Sequence, residues 1–149
     1  MAEHFNVTVL KNQLDLLDKS VNVLSYSFDR CTEIKGQAQF SDENLERFES
    51  LTARFARLSD LLTQKIFRLI DQNDLEDVGT VRDRINRAEK KGLIESAEQF
   101  ILIRELRNSI AHEYDLIATE KNFVHVLAFC PMLFDAVERV KNYTIRYTQ

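Results

Sequence analysis

The sequence predicts an all-α bundle of four long helices and one short one. Apolar residues recur at steps of three and four over long stretches, the spacing of one helix face. Only one proline and three glycines interrupt 149 residues. No stretch alternates with period two for long enough to suggest a sheet. The chain is long enough for one domain with a real core, and it holds no internal repeat or low-complexity segment. A single domain over residues 1–149 is therefore expected.

The first helix is expected over residues 5–35. Leu10, Leu14, Leu17, Val21, Leu24 and Phe28 form its stripe, and Gly36 follows as a C-terminal cap. Residues 37–41 make a short connection. The second helix is expected from Ser41 or Asp42 to about Gln72, with Asp42 and Glu43 favourably placed near its positive end. Its stripe is Leu45, Phe48, Leu51, Phe55, Leu58, Leu62, Ile66 and Leu69. Arg54, Arg57, Lys65 and Arg68 gather on one flank. They read as a solvated flank with apolar stems, or as an edge that follows a phosphate backbone.

Residues 73–79 form an acidic loop. Thr80 with Asp83 should cap a short helix over residues 81–91, which Gly92 ends. Arg84, Arg87 and Lys91 share one of its sides, expected to be a solvated face. Ser96-Ala-Glu-Gln99 fits a capping box for the fourth helix, whose buried stripe is Ile103, Leu106 and Ile110. A break is expected over residues 115–119. The last helix then runs from about Glu120, with Phe123, Leu127, Met132, Leu133, Ala136, Val137, Val140 and Tyr143 on its core face. Pro131 should kink it.

Twenty basic against 24 acidic residues give a net charge of −4, which excludes a bulk nucleic-acid binder. Any RNA contact must come from a local basic patch. Cys31 and Cys130 match no zinc spacing and no CxxC motif. No metal site and no cofactor is expected. The two thiols read as ordinary ones in a reducing cytoplasm. The N-terminal residues lack a basic and an apolar region, so no signal peptide is expected. The longest apolar run, residues 126–134, is about half the roughly 20 residues that span a bilayer. It reads as a buried helix, and no membrane contact is expected.

Chemistry-bearing side chains concentrate at one place: Arg107, Asn108, His112 and Tyr114. A fixed cation, an amide, an imidazole and a phenol stand within eight residues. Histidine exchanges protons near neutral pH, and arginine stabilises negative charge on phosphate. The set suits RNA cleavage without metal: a proton is taken from a ribose 2′-OH or given to the leaving oxygen. Asn108 would position the imidazole or a phosphate oxygen, and Tyr114 would donate to phosphate. Taken singly, each residue also has a plain structural reading. Arg107 would pair with a carboxylate, with Glu105 and Glu113 near in sequence. Residues 107 and 112 are five apart, which splits them by roughly 140° on a straight helix. Either the helix unwinds after Ile110, or two chains meet so that their clusters complement each other.

Arg107-Asn-Ser-Ile-Ala-His112-Glu-Tyr114 resembles the R-x-x-x-x-H-x-Y signature of HEPN domains, in the HepT-like branch. The asparagine after the arginine is common there, and the helix order is similar. The resemblance implies a HEPN-like bundle and a metal-independent ribonuclease toxin. It implies a homodimer with the motif lining the cleft. Arg107 and His112 would be the catalytic pair and Asn108 an active-site support. Tyr114 would be the tyrosine to which a partner antitoxin, an MntA-type minimal nucleotidyltransferase, adds AMP. Two other readings stand beside it: a non-catalytic helical partner that presents substrate to a nucleotidyltransferase, and a plain dimerisation domain.

Overall fold

The computed structural model describes residues 2–36, 40–112 and 116–147; for 2–6 and 116–119 only the backbone is described. Every element is helical: α1 (Ala2–Thr32), α2 (Asp42–Asp60), a π-helical segment (Leu61–Ile66), α3 (Phe67–Asn73), α4 (Val81–Lys91), α5 (Ala97–His112), α6 (Leu116–Thr144) and a final 3₁₀ turn (Ile145–Tyr147). α2, the π segment and α3 follow one another without a break. The all-α class holds among the described residues.

The α1 stripe forms as expected. Leu10, Leu17 and Leu24 are buried, and Leu14, Val21 and Phe28 pack beside them. Ser41 caps α2 by accepting the Asn44 amide at 3.1 Å. Arg54 ties α2 to α1 by donating to Ser27 Oγ at 2.7 Å and to the Val23 carbonyl at 3.2 Å. Phe48 of α2 stacks on Phe123 of α6 at 3.6 Å, which seats α6 across the core. Cys31 and Cys130 are both fully buried. Burial pushes their thiols up, to about 11 and about 12.

The second helix departs from its expected face at the π segment. The Phe67 amide donates to the Leu62 carbonyl, five residues back. The wider turn rotates everything after it, so Ile70 is fully buried while Leu69 is half-buried. Thr63 and Arg84 serve the opened turn: Thr63 Oγ1 donates to the Ser59 carbonyl at 2.8 Å, and Arg84 Nε to the Thr63 carbonyl at 3.3 Å.

Arg84, Arg87 and Lys91 are not a solvated face. Arg84 is buried, 7% exposed. Arg87 Nε donates to Asp71 Oδ2 at 3.0 Å. Lys91 Nζ reaches Asp71 Oδ1 at 2.9 Å, Asp74 Oδ2 at 2.8 Å and Glu76 Oε2 at 2.7 Å. A Schellman turn at the end of α3 delivers these acids. Glu76 N–H donates to the Asp71 carbonyl and Leu75 N–H to the Gln72 carbonyl, with Leu75 at φ +61°. Arg87 and Lys91 thus sit on acids from the end of α3 and the loop that follows it, while Arg84 donates to the Thr63 carbonyl.

α4 begins and ends as its sequence demands. Thr80 Oγ1 accepts the Asp83 amide at 3.1 Å, and the Thr80 amide donates to Asp83 Oδ2 at 2.8 Å. Gly92 takes the left-handed conformation at φ +79°. α6 starts at Leu116, four residues before the expected Glu120. No glycine or proline stands between them to stop the helix. α6 runs unbroken through Pro131, which lies on its exposed side.

Candidate functional site

α5 carries the candidate residues, and two contacts fix its start. Ser96 Oγ accepts the Gln99 amide at 3.2 Å, and Glu89 Oε2 of α4 accepts the Ala97 amide at 2.7 Å. Ala97, Phe100, Ile103 and Leu106 are buried and set the rotation of the helix about its axis. Arg104 and Arg107 each follow a buried residue by one position, about 100° round the axis. That places both at the edge of the core, beside the C-terminal end of α2.

There Arg107 meets Asp60. Its Nε donates to Asp60 Oδ1 at 2.7 Å and its Nη2 to Oδ2 at 2.8 Å, a two-pronged charge-assisted pair. The Asp60 hydrogen bonds hold the Arg107 pKa above its ordinary value, against burial, so the guanidinium stays a cation. Arg104 reaches the same acid, Nη1 to Oδ1 at 3.5 Å. It also donates to Gln64 Oε1 at 3.0 and 2.8 Å once the amide is oriented to accept. Asp60 is the last residue before the π segment, a feature that often marks functional sites.

Asn108 and His112 are exposed. α5 stays helical through His112, so it does not unwind after Ile110. Within one chain, Arg107 and His112 are therefore separated by roughly 140° about the axis and about 7.5 Å along it. One chain does not aim both at one atom. Tyr114 lies outside the described residues.

Residues that the sequence reading passed over complete the site: Asp60, Arg104 and Gln64. Arg104 had a signal, being three residues before Arg107 and thus on its side of the helix. Asp60 had none, because its partner lies 47 residues away. Among the described residues, no three His, Cys, Asp or Glu side chains gather to hold a metal ion, and no helix is long and apolar enough to cross a membrane.

No protein-family model, curated protein or solved structure matches this chain. The class that fold and site define is thus an all-α domain with a paired-arginine edge clamped by one aspartate.

Proposed function

We propose that this chain is a metal-independent endoribonuclease of the HEPN, HepT-like kind, working as a homodimer. It is the toxin of a pair whose antitoxin is an MntA-type nucleotidyltransferase. The observation that supports this most is Arg107. It is an oriented, partly exposed cation on the helix whose last turn presents His112 and Asn108 to solvent.

In the proposed reaction, His112 takes the proton of a ribose 2′-OH. The 2′-oxygen bonds to phosphorus, and the bond from phosphorus to the 5′-oxygen breaks. An imidazolium, the same His112 or its copy across the dimer, gives a proton to the leaving 5′-oxygen. The products are a 2′,3′-cyclic phosphate end and a 5′-hydroxyl end. Arg107 stabilises the crowded negative phosphate, and Asn108 orients His112 or a phosphate oxygen. The continuous α5 favours a dimer, because only a second chain then brings Arg107 and His112 together. AMP on Tyr114 would put a phosphate and a nucleotide in the place of RNA.

A second reading has one observation in its favour. Asp60 already neutralises Arg107, as it would in a silent helical partner that presents substrate to a nucleotidyltransferase. Single-stranded RNA incubated with the purified protein and EDTA separates the two. The ribonuclease cuts it and leaves cyclic phosphate ends; the silent partner leaves it whole.

A further inference from the structure

Two guanidiniums one helical turn apart converge on a single carboxylate. Arg104 and Arg107 bring two positive charges to Asp60, which supplies one negative charge. The cluster keeps a net charge of +1. It is about one-quarter to one-third exposed, so solutes reach it. Such pairs of arginines match the oxygens of a phosphodiester as well as those of a carboxylate.

Asp60 and Gln64, which accept from these arginines, also help to line a groove of about 330 Å³ between α1 and the junction of α2 with the π segment. Leu16 and Leu61 give it an apolar floor, and Leu16 is half exposed. Arg57 and Lys65 stand on its walls, both exposed and, among the described residues, without an acidic partner. Arg54, from the same basic flank, is used up in tying α2 to α1. The flank therefore holds one structural arginine, Arg54, and two cations that face the groove, Arg57 and Lys65.

We infer that Arg104 and Arg107 form a phosphodiester-binding pair for single-stranded RNA, and that Asp60 is its built-in occupant, displaced when RNA binds. This rests on the ribonuclease reading and deepens it. The RNA phosphate takes both guanidiniums from Asp60. The adjoining nucleotide lies on the Leu16–Leu61 floor, with its next phosphate between Arg57 and Lys65. A free phosphate ion would use only the arginine pair. The groove is what selects an oligonucleotide. Asp60 keeps Arg107 oriented between turnovers and sets a threshold that weak anions do not cross.

The test is binding of a fluorescent single-stranded oligoribonucleotide, read by anisotropy in the His112→Ala background so that RNA stays intact. Asp60→Asn keeps the shape of the side chain and removes its charge. It should bind roughly three- to tenfold more tightly, the effect of removing one partly screened negative charge beside a phosphate. The slope of log affinity against log salt should steepen by about 0.7 for each newly engaged phosphate. Inorganic phosphate should compete better against Asp60→Asn than against the parent, yet remain far weaker than the oligonucleotide. Adding Arg104→Ala to Asp60→Asn should return affinity to the parent level or below. Unchanged or weaker binding by Asp60→Asn, with helicity preserved, overturns the inference. So does a double variant that binds as tightly as Asp60→Asn. If Asp60→Asn binds as expected while the unmutated protein cuts no RNA, the anion site stands and the ribonuclease reading falls.

Discussion

Lys91 donates to Asp71 Oδ1 at 2.9 Å, and the two side chains are only 12% and 5% exposed. Asp71 stands in the last turn of α3 and Lys91 ends α4, so this pair ties the end of α3 to the C-terminal end of α4. Asp74 extends the tie to the C-terminus. Tyr143 and Tyr147 donate to its two carboxylate oxygens at 2.6 Å each. Lys91→Met removes the cation and leaves Asp71 to Arg87 alone. Breaking a buried pair from one side costs about 3 kcal/mol. Urea denaturation should show a loss of that order with an unchanged m-value.

The same network sets the pH range of stability. Burial raises the Asp74 carboxyl, but hydrogen bonds from Lys91, Tyr143 and Tyr147 overcome this and hold it below the usual range. The Lys91 hydrogen bond does the same for Glu76. Groups depressed in the fold stabilise it above their unfolded pKa, about 4, and lose that contribution as pH falls through the folded value. Lys91 is held above its ordinary value because bonds to Asp74, Glu76 and Asp71 outweigh burial, and burial raises Tyr147. Those contributions are full below an unfolded pKa of about 10 and fade above it. Melting temperature should be flat from about pH 5 to 9 and fall on both sides. Lys91→Met should flatten both arms.

Leu75 holds a left-handed backbone at φ +61° with its side chain 88% exposed. It gains nothing from burial there, and a Cβ in this conformation costs roughly 1–2 kcal/mol. Leu75→Gly removes that strain but frees the unfolded chain. A net gain of about 0.5 kcal/mol is expected. Thermal melts should show a small rise, whereas Leu75→Val should melt lower.

How far the sequence carried follows from where partners lie. The α1 stripe and the α4 capping box were legible because their determinants are local. Leu69 was misplaced because no residue pattern announces the π turn that gives its place to Ile70. Lys91 was misread because its acids lie 15 to 20 residues away, across a loop whose Schellman turn the sequence does not advertise. At the candidate site, Arg107 stands out in the sequence by its type and its spacing from His112. Its partner was expected among Glu105 and Glu113, yet it is Asp60 on another helix.

A dimer is required if Arg107 and His112 act on one phosphate, since α5 stays helical through both. Light scattering at micromolar concentration should give about twice the 17.4 kDa chain mass. A strict monomer that still cuts RNA would contradict the composite site.

The most direct measurement of the central claim is RNA cleavage by His112→Ala and Arg107→Ala, each checked for helicity and melting. His112 is exposed, so its loss should cost little stability. Both variants should lose cleavage by about a hundredfold or more, and Arg107→Lys should restore little because a two-pronged grip on the phosphate needs a planar donor. Folded His112→Ala protein that cuts RNA at the unmutated rate would contradict the account.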